Sequence, residues 1–273
     1  MLVAHLSAQA VQKSALVTVV ADSSGPVKGL AARDFKVLED KTSREVISVE
    51  RAEEQLFISL LVDTTKPPMG MQYPTQDVRG ALSTFAKTIQ SAGASAQFSL
   101  MEFAGAAVTT QDFTANGGAL DKVIQRLYQN PQGTAVLIEA MSEASKKIAD
   151  KPTPRRAIVS IDFRSPETSA DQTLKKTAEE VRKSGATVWA VSIGVQSSSE
   201  PREALLNNVT QVSGGMRLTA IEASGLESLL TKVAYSLLSQ YTVTFARPDN
   251  SPMKPVRMET TKGPKVLLTQ WMR

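Results

Sequence analysis

Three kinds of hydrophobic pattern follow one another along the chain. Residues 14–21, "SALVTVVA", alternate and are rich in β-branched side chains, which predicts a strand. "DSSGPVKG" carries turn residues, and "DFKVLED" and "REVISVE" read as two further short strands separated by "KTS". The opening is thus a β-meander with no helical period. At residue 56 the pattern changes: "LFISLLV" is a continuous apolar run, as in a strand covered on both faces. From Pro74 to about Ala92, residues Val78, Leu82, Phe85 and Ile89 recur on one helical face, and Pro74 suits a first turn. "AQFSLMEFA" predicts a strand, with "AAVTTQDF" pairing back against it. "ALDKVIQRLYQ" and "TAVLIEAMSEASKKIA" predict helices, the second with lysines at its C-terminal end, where the helix dipole favours cations. Strands "RRAIVSID", "ATVWAVSIG" and "MRLTAI" then alternate with helices "DQTLKKTAEEVRKSG", "PREALLNNVTQVSG" and "GLESLLTKVAYSLLS". After Gln240 the chain returns to strands: "YTVTFA", "VRMETT" and "KVLLTQW".

Strand and helix alternating in this way imply crossover units and a mostly parallel sheet with helices on both faces. The expected fold class is α/β, doubly wound and Rossmann-like, with six core strands of which one is antiparallel. The chain divides into a leader or disordered end at 1–12, a β flank at 13–55, the α/β domain at 56–239 and a second β flank at 240–273. The flanks are expected to pack together, since the ends of a domain often lie near each other. Trp189 reads as core packing and Trp271 as a cover for the flanking sheet.

Composition narrows the chemistry. The 273 residues are 42% hydrophobic and 21% charged, and the net charge of +4 is dispersed with few aromatics among the basic residues. That pattern offers neither the basic stripe nor the stacking platform of a nucleic-acid binder. With no cysteine there is no disulfide, thiolate nucleophile or zinc ribbon. The one histidine, His5, lies in the leader, which excludes His-dependent triads and two-His metal sites. No segment approaches the about 20 apolar residues of a membrane span. Ala8-Gln9-Ala10 fits a small-residue cleavage site. Read as the remnant of a signal peptide it places the protein outside the cytoplasm; read as a disordered end it says nothing of the compartment.

What remains is oxygen chemistry. In an open α/β sheet, ligands bind beyond the carboxyl ends of the strands, near the switch in strand order. Asp63 ends the first core strand with Thr65 two residues on, Thr134 follows Gln132-Gly133 at the start of a helix, and Asp162 ends "AIVSID". All three loops are expected at the same edge. Two carboxylates and two hydroxyls suit Mg2+ or Mn2+ rather than zinc, with a coordination position left for an acidic residue of a partner. The "PMGMQYP" loop brings Met69, Met71 and Tyr73 near that rim, either as an adaptable contact surface or tucked against the sheet. Arg155-Arg156 reads as a solvated basic pair and Glu102 as a surface carboxylate.

These residues resemble the von Willebrand factor type A family. Its metal ion-dependent adhesion site runs Asp-x-Ser-x-Ser, then a distant Thr, then a distant Asp. Asp63, Thr65, Thr134 and Asp162 match in order and spacing, over about residues 56–238. Pro67 stands where the second Ser belongs and brings no oxygen, and Phe163 replaces a Gly common after the last Asp. The resemblance implies a non-enzymatic adhesion or protein-interaction module whose site is degenerate, with Mg2+ or Mn2+ bound weakly or not at all. Water replaces the lost ligand, or the face binds an unidentified protein without metal, or the face is inert. Lys66 beside the site repels a metal and is a candidate ion-pair partner for Asp63 or Asp162. A Mg2+-dependent hydrolase built on the strand-end aspartates is the alternative from another class. The flanks, through Gly29-Leu30 and Asp34-Phe35, resemble the lead-in of secreted bacterial proteins of this family, of the kind abundant in acidobacteria.

Overall fold

The computed structural model describes residues 10–68, 72–169, 173–195, 200–248, 252, 254–261 and 263–270. Residues 1–9 of the expected leader, with Met69, Met71 and Trp271, lie outside the described residues, and residues 10–12 of that expected leader stand in a strand. Four strands open the chain: β1 (Ala10–Val19), β2 (Phe35–Glu39), β3 (Thr42–Arg44) and β4 (Val46–Arg51). The alternating region follows as β5 (Leu56–Asp63), α1 (Thr75–Ser91), β6 (Ala96–Phe103), β7 (Ala107–Thr114), α2 (Gly117–Ile124) and α3 (Leu137–Ala149). It continues through β8 (Arg156–Asp162), α4 (Thr173–Ser184), β9 (Thr187–Ile193), α5 (Glu200–Val212), β10 (Met216–Ala220) and α6 (Leu226–Leu237). Strands β11 (Gln240–Pro248), β12 (Val256–Thr260) and β13 (Val266–Leu268) close it.

The central sheet has the order β10-β9-β8-β5-β6-β7. Its ladders are parallel except β6 with β7, which is antiparallel. Every residue of β5 is buried, as a doubly covered strand requires. Leu56, Ile58, Leu60 and Val62 pack with α1, α2 and α6, while Phe57 and Leu61 pack with α3, α4 and α5. The chain runs from β5 outward to β6 and later returns on the other side as β8. The carboxyl ends of β5 and β8 are therefore the switch point, where the crevice of such a sheet opens.

Both ends of the chain enter one further sheet, β13-β1-β11-β4, in which β1 is antiparallel to β11 from Ala10↔Pro248 to Thr18↔Gln240. A third sheet, β12-β2-β3, lies against it through Val17, Val37, Val243, Phe245 and Met258. In the "KTS" stretch only Lys41 stands in a turn, and Thr42 and Ser43 already belong to β3: Glu39 pairs with Thr42 across the two-residue turn Asp40-Lys41, in which Asp40 takes φ 56°. Aspartate tolerates that left-handed region better than most side chains.

Arg155 departs from the solvated reading. It is buried and donates to Gln240 Oε1 (3.0 Å), the Glu54 carbonyl (2.7 Å) and the Leu237 carbonyl (3.1 Å). One guanidinium thus joins both places where the chain crosses between the central sheet and the flanking strands. Its five fixed donors suit three acceptors that a lysine could not span.

Candidate functional site

The register of the central sheet brings the strand-end carboxylates together. β5 pairs Val62 with Ile161 of β8, so the next residues, Asp63 and Asp162, stand side by side. β8 in turn pairs Asp162 with Ser192 of β9. Side chains alternate across a strand, so Asp63 shares the face of Leu61, and Asp162 that of Ile158, both under α3. Glu102 pairs with Val62 and lies on the opposite face, half-buried, where burial pushes its carboxyl up. It is neither a surface group nor a neighbour of the aspartates on their side.

Each aspartate is fully buried and held by neutral donors. Asp63 Oδ1 accepts from the Thr65 amide (2.9 Å) and the Thr65 hydroxyl (2.6 Å), and Oδ2 accepts from the Phe163 amide (3.0 Å). Burial pushes its carboxyl up to about 6 against these hydrogen bonds, and the charge of Asp162 pushes the same way. Asp162 Oδ1 accepts from the Arg164 amide (3.1 Å), and Oδ2 accepts from the Ser192 hydroxyl (2.6 Å). To present its amide, Arg164 adopts φ 58°. Lys66 is exposed and forms no ion pair among the described residues. The expected pairing with Asp63 or Asp162 is not found among the described residues.

Thr65 is buried and its hydroxyl has a second short contact, 2.6 Å to Ser165 Oγ. Ser165 Oγ also lies 3.1 Å from the Lys66 carbonyl. Asp63, Thr65 and Asp162 therefore belong to one polar cluster with Ser165 and Ser192. Thr134 sits differently: it is exposed, with its hydroxyl 2.9 Å from that of Thr168 and its carbonyl accepting from Gly105 (2.7 Å). Its loop touches the first one where the Asn130 amide donates to the Thr64 carbonyl at 2.6 Å. Thr134 is also not in the helix. Residues before Leu137 are extended because Ala135 bridges Glu167, while the Glu167 carboxylate accepts the Leu137 amide at 3.1 Å and so caps α3.

Phe163, at the position of the expected Gly, is buried in the central core and meets Tyr73 edge-on, with ring centroids 5.3 Å apart. The Tyr73 hydroxyl donates to the Asp63 carbonyl (2.9 Å), and burial pushes its pKa up. Tyr73 thus braces the carboxyl end of β5 against Phe163. Arg202 of α5 is fully buried and donates through Nη1 to the Ser165 carbonyl, which holds the third loop in place. Sequence reading missed Ser165, Ser192 and Arg202. Ser192 is visible only through register, and Ser165 only through the meeting of two loops.

As a donor set, two carboxylates with the Thr65 and Ser165 hydroxyls fit a small hard cation. Among the described residues no group of three or more His, Cys, Asp or Glu gathers for a metal, so any ion here depends on the hydroxyls.

The sequence profile of the von Willebrand factor type A domain matches residues 58–230, well over half of the chain, and the protein belongs to that family. Domains of this family are generally non-enzymatic interaction modules. Solved structures share the fold. Proximal thread matrix protein 1 from the mussel byssus, with a zinc-occupied MIDAS motif, superposes with TM-score 0.55 at 12% identity, covering 73% of this chain and 48% of its own. The SpRpn10 VWA domain gives 0.51 at 11% identity, covering 64% and 93%. The PilB minor pilin of Streptococcus sanguinis gives 0.53 at 12% identity, covering 69% and 62%. The chain thus spans about half the length of the mussel protein. No curated protein sequence matches it.

Proposed function

We propose that the chain is a non-enzymatic protein-interaction or adhesion module that binds an acidic side chain of its partner at the carboxyl edge of the central sheet. The observation that carries this reading is that Asp63 and Asp162 follow the last β5–β8 pair side by side at the switch point, with Thr65 and Ser165 in hydrogen-bond contact beside Asp63. The first motif is degenerate at Pro67, and Thr134 stands at the exposed rim. Mg2+ or Mn2+ suits this oxygen set better than the softer zinc. Three exposed apolar residues ring the same edge: Val195 after β9, Ile221 after β10 and Tyr128 in the loop that reaches Thr64. Exposed apolar groups around a polar centre are the composition of a contact surface. An extracytoplasmic home accords with the Ala8-Gln9-Ala10 stretch and with the flanks' likeness to secreted bacterial members of the family.

Selection of peptides from a random display library, in Mg2+, tests the reading. Peptides bearing Asp or Glu are expected to dominate, and to be lost on an Asp63→Ala/Asp162→Ala chain. Equal recovery by both chains would overturn it.

A further inference from the structure

Three arginines meet one glutamate where β8, β9, β10 and α5 come together. Arg164 lies two residues beyond the end of β8, Arg202 stands in the first turn of α5, and Arg217 lies in β10. Arg217 holds Glu203 with two bonds, Nη1 to Oε2 at 2.7 Å and Nη2 to Oε1 at 2.8 Å. Its Nη2 also lies 3.4 Å from Ser192 Oγ, the hydroxyl that donates to Asp162. Arg164 reaches Glu203 Oε1 only at 3.8 Å. The hydrogen bond from Arg217 holds the Glu203 carboxyl below the usual glutamate range against burial, and the charges of Arg217, Arg164 and Arg202 act the same way. All three guanidinium groups are therefore its neighbours.

Arg202 differs from the other two. It is 0% exposed and forms no ion pair among the described residues. Its Nη1 donates to the Ser165 carbonyl, while Nε and Nη2 have no partner among the described residues. Those two N–H groups lie parallel on one edge of the guanidinium, the fork that takes two oxygens of a single anion. Arg164 Nε, also buried, lacks a partner as well. Buried donors are rarely left over, and buried charges are as a rule paired. The two carboxylates that feel the charge of Arg202 are already engaged. Glu203 is held by Arg217, and Glu167 accepts from the Leu137 amide and from the amide and hydroxyl of Ser169.

We propose that the Arg202 fork and Arg164 hold a small, doubly charged oxyanion of the sulfate or hydrogen-phosphate type. Three guanidinium groups touch only one carboxylate, Glu203, and Asp162 stands behind the Ser192 hydroxyl. The excess of positive charge favours a dianion over acetate or chloride. The N-terminal end of α5 adds the positive end of its dipole. Complete burial of Arg202 suits a free anion rather than the side chain of a partner. Bound there, the anion ties α5 to the loop that carries Arg164 and Ser165, next to Asp162. This inference goes beyond the partner-binding reading and needs neither a metal nor a partner.

Isothermal titration calorimetry of the whole chain with sulfate and with phosphate, at constant ionic strength, is the test, with acetate and chloride for comparison. One sulfate or phosphate per chain is expected, bound about tenfold or more tighter than acetate or chloride. Arg202→Lys keeps a charge but loses the fork, and is expected to weaken the dianion about tenfold or more. Arg164→Gln covers the case in which that variant does not fold, and is expected to weaken it about threefold or more. Glu203→Gln removes the competing carboxylate and is expected to tighten it about threefold or more, a gain that a loosened fold would not give. Uptake of neither dianion, acetate bound as tightly, or unchanged affinity in the arginine variants would overturn the proposal. Peptide selection against the Asp63→Ala/Asp162→Ala chain does not depend on these results, so the two readings fail separately.

Discussion

Glu39 in β2 and Asp63 at the end of β5 are both withdrawn from water, yet their partners differ in kind. Glu39 is met by two guanidinium groups, Arg247 and Arg44, each at 2.8 Å, and by the Lys254 amide. Burial pushes its carboxyl up, but these donors outweigh burial and hold it below the usual glutamate value. Asp63 receives amides and a hydroxyl, has a second carboxylate beside it, and is pushed up to about 6. A carboxylate with matched cations is finished as a structural element, tying β2, β3 and β11 together. A carboxylate pair held only by neutral donors is left with its mutual repulsion unrelieved.

The largest expected effect sharpens the structural half of this contrast. Glu39→Ala leaves Arg247 buried without its main counter-charge, and breaking such a pair costs about 3–5 kcal/mol. Urea denaturation measures it, and a loss under about 1 kcal/mol would put Glu39 in the same category as Asp63. The pH dependence comes next, and the two acids carry opposite signs. Asp63 binds its proton more tightly folded (about 6) than unfolded (3.8), so its protonation favours the folded chain. That contribution, about 2–3 kcal/mol in the metal-free protein, is complete below pH 3.8 and lost as pH rises through 6. Glu39 is lowered on folding, so its stabilisation is present above 4.5 and fades as pH falls. Stability curves of Asp63→Asn and Glu39→Gln between pH 4 and 7 are therefore expected to deviate from wild type in opposite directions. Deviations of the same sign would refute the distinction.

Smaller effects test the bracing of the site. Tyr73→Phe removes one hydrogen bond to the Asp63 carbonyl and is expected to cost about 0.5–1.5 kcal/mol in thermal or urea unfolding. Lys66→Ala, at an exposed position without an ion pair among the described residues, is expected to change stability by less than about 0.5 kcal/mol. A larger loss would mean that Lys66 does balance the aspartates.

The parts legible in sequence are those fixed by local pattern. An apolar run ending in a carboxylate marks β5 and β8 as buried strands with their acids at the carboxyl edge, and Asp63-x-Thr65 is short enough for the turn that joins them. The six-stranded α/β sheet follows from alternation in the same way. What escaped depends on contacts between distant segments. Arg155 and Arg156 look alike in "PRRAIV", and only the arrival of Gln240, Glu54 and Leu237 buries the first. The start of α3 shifts to Leu137 because Glu167, thirty residues on, supplies its cap. Ser165 is inconspicuous in "DFRSPET" until its loop meets Thr65, 100 residues earlier.

Crystals of the chain soaked in Mn2+ and measured at the manganese absorption edge test this account most directly. A single anomalous peak beside Asp63, Thr65 and Asp162 is expected. A map with no peak there, or with manganese only on the surface carboxylates around Glu139 and Glu143, would contradict it.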